Sequence, residues 1–394
     1  MGGVRTDKPQ PTEVHQDLSA VRAHYSNAER NRPTKAEDRW HQLRLNLARR
    51  RGQHVTVLSL AGYGSPRWVR IFSRVVMAPD SHFEAGRRVA KVIADGVRGW
   101  RNFVSAPVPF AQVTIEVAGQ QFQVAADRGG IVDEVVELRG GLRLPSGWQQ
   151  IRLEAPGAEP ITAEVQIIGD EVTSGVICDI DDTVVVTKLP RPFLAAWNSF
   201  VLDEHARTPT PGMAVMMERL LSASSSGSDQ HRAPVLYLST GAWNVAQTLT
   251  RFLTRNLYPQ GPLLLTDWGP TEDRWFRSGQ QHKVEQLTQL AQEFPQVRWT
   301  LIGDDGQHDP MIYADFARKN PQSVRAVIIR ELTYSEAVLA GGRAEQPEGE
   351  ELLKVTETGE HPTGVQKVGK HRIPWIYGPD GKDISESLAA YGLL

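Results

Sequence analysis

Ser174-Gly-Val-Ile-Cys-Asp-Ile-Asp-Asp-Thr183 carries an apolar run of strand length, Val176 to Cys178, straight into three carboxylates, Asp179, Asp181 and Asp182, and then Thr183. Core packing gives no reason for that ending. In open α/β sheets ligands bind beyond the carboxyl ends of the strands, so acids placed there face a crevice. A hard divalent cation such as Mg²⁺ takes one or two carboxylates together with substrate phosphate oxygens, which leaves another acid free as a nucleophile. A calcium loop of the EF-hand kind needs Gly at its sixth position and Glu at its twelfth. Val184 and Pro190 stand there instead. An acidic turn after a strand is the plain alternative, because short motifs match by chance until their context is known.

Downstream, strands alternate with helices. A helix over Gly212 to Leu221 and a Ser-rich loop, residues 222–229, lead to a strand over Val235 to Leu238. Then come a helix from Trp243 to Asn256, a strand at Leu263 to Leu265, a helix from His282 to Phe294, a strand from Arg298 to Ile302, a helix from Pro310 to Asn320 and a strand from Val324 to Ile329. This alternation indicates βαβ units and a parallel sheet. Three further segment ends carry polar groups. Val235 to Leu238 ends in Ser239-Thr240-Gly241, leading into a helix N-terminus, where backbone N–H groups can bind phosphate, although Ser and Thr are also ordinary helix caps. Lys283 stands near a helix start, where the dipole favours anions, so its charge suits a use other than capping. Arg298 to Ile302 ends in Gly303-Asp-Asp-Gly-Gln-His-Asp309, a second acidic strand end able to share one cation with the first.

Upstream, His54 to Ile168 breaks into short β-rich runs: Val55 to Leu60, Val69 to Val76, Val113 to Val117, Phe122 to Ala126, Val132 to Leu138, Trp148 to Leu153 and Ala163 to Ile168. Such spacing suggests an immunoglobulin-like sandwich. Two basic amphipathic helices are expected, one over Lys35 to Arg51 with Trp40, Leu43 and Leu47 on its apolar face, one over Glu84 to Val104. Packing against their own domain is the ordinary meaning of such stripes; lying on an anionic membrane is the functional one.

Of 394 residues, 40% are apolar, enough for two cores, and 44 basic against 46 acidic residues argue against a nucleic-acid partner. The single Cys178 excludes an internal disulfide and reads as a small core residue. No stretch approaches roughly eighteen consecutive apolar residues, so a soluble, cytoplasmic protein is expected, peripheral at most to a membrane surface. The expected divisions are 1–52, a polar tail and basic helix; 53–170, the β-sandwich with its inserted helix; 171–335, the α/β domain; and 336–394, a Gly/Pro-rich tail without recognisable chemistry.

The order Asp179-x-Asp181-x-Thr183, Ser239, Lys283, then Gly303-Asp304 with Asp309, resembles the four motifs of the haloacid dehalogenase superfamily of phosphatases. More narrowly, Cys178-Asp-Ile-Asp-Asp-Thr183, Tyr237-Leu-Ser-Thr-Gly-Ala-Trp-Asn244, Gly261-Pro-Leu-Leu-Leu-Thr-Asp-Trp-Gly269, Phe276-Arg-Ser-Gly279 with His282-Lys283, and Leu301-Ile-Gly-Asp-Asp-Gly-Gln-His-Asp-Pro310 resemble the actin-patch-protein type of phosphatidate phosphatase, whose catalytic domain is related to lipins. Gly62-Tyr63-Gly64 in the β-rich half is similar as well. The resemblance implies a Rossmann-like haloacid dehalogenase catalytic domain and an Mg²⁺-dependent phosphatase acting on phosphatidate or a related lipid phosphate. It implies Asp179 as nucleophile and Asp181 as acid and base, with Mg²⁺ held by Asp179, the Asp181 carbonyl, Asp304 and Asp309. Phosphate would meet Ser239, Thr240 and Lys283, while Thr183 shapes the loop. Asp305, where the family pattern has a small polar residue, and Gly241-Ala242, where it has a Ser-Pro-type pair, depart from it. Phe193, Trp197 and Phe200 suit either the mouth of a lipid site or core packing. A soluble phosphomonoester or a phosphoprotein is the alternative substrate, and a non-catalytic scaffold the alternative class.

Overall fold

In the computed structural model the described residues are 47–48, 50–78, 106–186, 208–224, 232–266, 272–306, 308–339, 352–354 and 364–394. The expected helix over Glu84 to Val104, most of that over Lys35 to Arg51, and Phe193, Trp197 and Phe200 lie outside them. Among the described residues no helix is long and apolar enough to cross a membrane.

Among the described residues from His54 to Ile167 the regular elements are strands: β1 (His54–Ser65), β2 (Trp68–Ala78), β3 (Gln112–Val117), β4 (Gln120–Ala125), β5 (Ile131–Glu137), β6 (Gly147–Glu154) and β7 (Ile161–Ile167). The alternation visible in the sequence is what folds: on β3, Val113, Ile115 and Val117 turn inward while their neighbours stay accessible. Hydrogen bonds join all seven strands into a single sheet, in the order β4-β3-β6-β7-β1-β2-β5. The end strands β4 and β5 approach one another, so the sheet curls almost into a barrel around Val69, Ile71, Ile115, Leu153 and Val165. One continuous sheet differs from the two facing sheets expected of an immunoglobulin-like sandwich. The run pattern specified strands and their inward faces, and pairing closed them into one curl because β1 bonds β2 on one side and β7 on the other.

The second half is a mixed α/β layer. Its strands and α-helices among the described residues are β8 (Ser174–Asp179), β9 (Val185–Val186), β10 (Thr208–Pro209), α1 (Met213–Ala223), β11 (Val235–Ala242), α2 (Ala246–Arg255), β12 (Leu263–Thr266), α3 (Glu272–Glu293), β13 (Arg298–Asp304), α4 (Asp309–Lys319), β14 (Val324–Arg330), α5 (Tyr334–Leu339), β15 (Leu352–Lys354), β16 (Gly364–Val368), β17 (His371–Gly378) and α6 (Gly381–Ala390). Eight strands form one sheet ordered β12-β11-β8-β13-β14-β17-β16-β15. From β12 to β17 every neighbouring pair is parallel. From Gly175 on, β8 is buried at every residue, as a central parallel strand covered on both faces must be. The chain leaves β8 for β11 on one side and reaches β13 on the other, so a crevice opens beyond the carboxyl end of β8.

The C-terminal residues differ from the expected tail. Residues 371–378 continue the parallel sheet beside β14, Trp375 is wholly buried, and α6 packs on α1 and β17. Gly369, Pro374 and Gly378 interrupt the apolar pattern there, which is why composition alone suggested a loose segment.

Candidate active site

Register places the chemistry. Leu238 pairs with Asp179, so Ser239 stands one residue beyond the end of β8; Ile302 pairs with Cys178, so Asp304 lies two residues beyond that pair. Asp309 opens α4, with Pro310 in the first turn, where a missing N–H is harmless and an acid suits the dipole. Gly303 makes room for it. A Cβ there would lie 2.4 Å from Asp309 Oδ2 and 2.8 Å from the Tyr313 ring.

One carboxylate oxygen from each of Asp179, Asp304 and Asp309 lies within 4.8 Å of the other two, and all three residues are buried. The Lys283 ammonium joins them, 2.7 Å from Asp179 Oδ1 and donating at 2.6 Å to Asp309 Oδ1. Asp304 Oδ1 accepts from the Gly306 N–H at 2.7 Å. Among the described residues Asp179 Oδ2, Asp304 Oδ2 and Asp309 Oδ2 have no hydrogen-bond partner. Buried carboxylate oxygens are seldom left so. Three buried acidic oxygens converging beside the Lys283 ammonium fit a divalent cation that takes hard oxygen ligands.

The electrostatics agree. Burial pushes the Asp179 carboxyl well above the usual range; Lys283 opposes the shift, and Asp309 and Asp181 add to it. Asp304 is pushed up by burial and then by Asp309, Asp182 and Asp179. For Lys283 burial acts downward, but Asp179, Asp309 and Asp304 outweigh it and hold the ammonium charged. Added positive charge would relieve this excess of acid.

Asp181 lies apart from the triad, and its carboxylate is engaged elsewhere: the Ser239 hydroxyl donates to Asp181 Oδ2 at 3.0 Å while accepting from the Gly241 N–H at 3.0 Å. Thr183 is wholly buried, and its carbonyl accepts from Thr210 Oγ1 at 2.8 Å, which ties the loop after β8 to the residue that follows β10. Thr240 offers its carbonyl to Thr266 Oγ1 at 2.9 Å. Asp305 turns away from the acids, its Oδ1 accepting from the Leu332 N–H at 2.8 Å and its own N–H donating to the Arg330 carbonyl at 3.0 Å. Cys178 is buried, as expected of a core residue.

Lys283 differs from its expectation in one respect. α3 begins at Glu272, so Lys283 lies mid-helix, and the two carboxylates rather than a helix end account for its place. Arg330 has no counterpart among the expected residues. It ends β14 almost wholly buried, donates at 2.5 Å from Nη1 to the carbonyl of Asp182, whose φ is +57°, and from Nη2 to both oxygens of Glu336. A charged residue closing the apolar run Val324-Arg-Ala-Val-Ile-Ile329 was its one sequence signal.

Residues 174–331 match the family model described as the catalytic domain of phosphatidate phosphatase APP1. The chain is 23% identical over 157 residues to Phosphatidate phosphatase APP1 of Saccharomyces cerevisiae, a match that takes in 40% of this chain and 25% of that protein. The chain thus spans a quarter of the curated relative's length. The resemblance to the actin-patch-protein type is borne out by both matches, and both are to a phosphatase. Similar solved structures include a carbohydrate acetylesterase from Xanthomonas citri at 10% identity and TM-score 0.25, over 70% of this chain and 68% of that one, and a β-glucuronidase from Parabacteroides merdae at 10% identity and TM-score 0.19, over 70% and 34%.

Proposed function

We propose, from the match of residues 174–331 to the APP1-type catalytic domain, that this chain is an Mg²⁺-dependent phosphatase of the haloacid dehalogenase kind, hydrolysing phosphatidate or a related lipid phosphate to diacylglycerol and inorganic phosphate. One observation carries the reading. Lys283 lies between Asp179 and Asp309 at 2.7 and 2.6 Å, beside Asp304, at the carboxyl ends of adjacent parallel strands. Two acidic strand ends and a buried ammonium in one crevice have no use in packing, and they are what a phosphoryl group and its counter-ion need.

Asp179, Asp304 and Asp309 would hold the cation, which when bound supplies charge that offsets repulsion between carboxylate and phosphate. An Asp179 carboxylate oxygen attacks phosphorus as the bond to the leaving alcohol breaks, giving an aspartyl-phosphate. Asp181 gives the departing alkoxide its proton, then takes one from the water that attacks the intermediate, so Asp179 is regenerated and phosphate leaves. The Ser239 hydroxyl aims the Asp181 carboxyl, and Lys283 stabilises charge on the transferring group. The Arg330 contact to the Asp182 carbonyl supports the loop that presents both acids.

The matched family's name supports the substrate class, and membrane contact through the N-terminal half belongs to the same proposal, as does the division at about residues 52 and 170. Phosphate release by the purified chain with Mg²⁺, from dispersed short-chain phosphatidate and from an aryl phosphate, tests it. Release from phosphatidate that is abolished by EDTA is expected. Release from the aryl ester alone would keep the chemistry and reject the lipid; no release from either would reject both.

A further inference from the structure

We propose that the β-rich sheet of residues 54–167 is the positioning frame of the helix that carries Lys283, with Arg70 and Tyr63 as its positioning residues. The inference rests on the phosphatase reading for its consequence, though not for its geometry. On α3, Gln286 stands one turn beyond Lys283, and Glu293 lies seven residues after Gln286 on the same stripe. That stripe meets a buried polar network on the β-rich sheet. Arg70 of β2 forks onto Asp133 of β5, Nε to Oδ1 at 2.6 Å and Nη2 to Oδ2 at 2.8 Å. Its Nη1 donates to the Tyr63 hydroxyl at 3.0 Å and lies 3.4 Å from Gln286 Oε1. The Tyr63 hydroxyl donates in turn to Glu293 Oε2 at 2.9 Å, and Gln289 Nε2 fixes Glu293 Oε1 at 2.6 Å. Arg70 is 5% exposed, Tyr63 0% and Gln286 4%.

Gluing two layers together needs only apolar area, and that is already present: Trp68 and Tyr63 meet the Phe294 ring at centroid distances of 5.6 and 6.1 Å. Burying a guanidinium costs several kcal/mol unless its bonds are well made. What such a network adds is direction, since a planar fork and a phenol accept few geometries. A slip of α3 by one turn would move Lys283 by about 5.4 Å, beyond reach of Asp179 and Asp309. The same sheet holds the second arm of the site. Phe72, over which the Arg70 guanidinium lies at 5.1 Å, packs at 5.0 Å on Trp243, which opens the short turn after Ser239-Thr240-Gly241-Ala242. The hydroxyl and the ammonium that would meet phosphate are thus braced from one side by one sheet.

The test uses the full chain carrying Tyr63→Phe, Arg70→Met, Arg70→Lys and, as control, Val113→Ala, a buried site on β3 away from this contact. Two readouts are taken well below the melting temperature: hydrogen exchange of amides 279–289, and kcat and KM on a small aryl phosphate with Mg²⁺. In Tyr63→Phe exchange should quicken by about tenfold, because the opening loses a buried bond, and kcat should fall roughly tenfold with KM unmoved, as for a misplaced catalytic group. Arg70→Met should exceed both effects and Arg70→Lys recover part of them. Should Arg70→Met fail to fold, Tyr63→Phe, which removes one hydroxyl, decides. Val113→Ala should lower the melting temperature and change neither readout. Wild-type exchange or wild-type kcat in folded Tyr63→Phe overturns the proposal, as does an equal loss in the control. If the wild-type chain releases no phosphate from any ester, the phosphatase reading falls by itself, and exchange alone decides the frame.

Discussion

The Ser239 hydroxyl, within the parallel strand β11, donates at 3.0 Å to Asp181 Oδ2 in the loop that follows the neighbouring strand β8. If Asp181 is the proton donor, this bond aims it, and a general acid contributes about 10²–10⁴ in rate when well placed. Ser239→Ala should therefore lower kcat on an alkyl phosphate by about 10²-fold and on a nitrophenyl phosphate, whose leaving group needs no proton, by much less. Equal losses on both esters would mean that Ser239 acts on phosphate alone.

Lys283 is 3% exposed between two carboxylates. Removing one partner of a buried pair leaves uncompensated charge, which costs about 3–5 kcal/mol. Lys283→Met should lower the stability of the cation-free protein by that order and abolish turnover. Lys283→Arg should rescue folding better than activity, because a planar fork cannot replace a compact ammonium between two acids. Chemical denaturation beside steady-state assay separates the two effects; full activity in Lys283→Arg would contradict them.

Folded Asp179 and Asp304 are pushed above their ordinary values, chiefly by burial. A carboxyl raised in the folded state contributes stability that is fully present below its unfolded value of about 4 and is lost as pH rises through the folded value. A divalent cation binds the ionised form and restores what ionisation removes. Mg²⁺ should thus raise the melting temperature by several degrees at pH 8, where a hundredfold excess over Kd is worth about 2.7 kcal/mol, and by little at pH 5. The same rise at both pH values, followed by scanning calorimetry, would argue against cation binding by these acids.

Adjacent Asp304 and Asp305 should behave differently. Asp304 belongs to the buried triad, whereas Asp305 accepts from the Leu332 N–H, a bond an amide oxygen can also accept. Asp304→Asn should weaken activation by Mg²⁺ by about 10²-fold, the order seen when groups ordering a metal site are lost. Asp305→Asn should stay within a few-fold of wild type. Equal effects in a Mg²⁺ titration would place Asp305 in the site.

The strand ends were legible because an apolar run that stops in acids breaks the ordinary pattern: Asp179 and Asp304 need no partner to be conspicuous. The strands themselves were legible from alternation, whereas the single curled sheet of the first half was not, since pairing is decided between segments far apart. Arg70 and Arg330 were hidden for the same reason. Their partners Asp133 and Asp182 lie 63 and 148 residues away, and a lone Arg in a strand carries no sign of what it will meet. Lys283 stands out in the sequence as a cation near an expected helix start, whereas α3 begins eleven residues earlier and the acids alone account for its place. Residues 364–394 read as a loose tail because glycine and proline mask a strand whose inward residues, Ile373 and Trp375, are wholly buried.

The central claim is that Asp179 carries the phosphoryl group during turnover. Acid-quenching the protein with substrate and Mg²⁺ within the first turnover, then mapping peptides by mass, tests it most directly. One added phosphoryl group on the peptide containing Asp179, labile in alkali and missing from Asp179→Asn, is the predicted result. Turnover with no such adduct, or with undiminished release by Asp179→Asn, would contradict it.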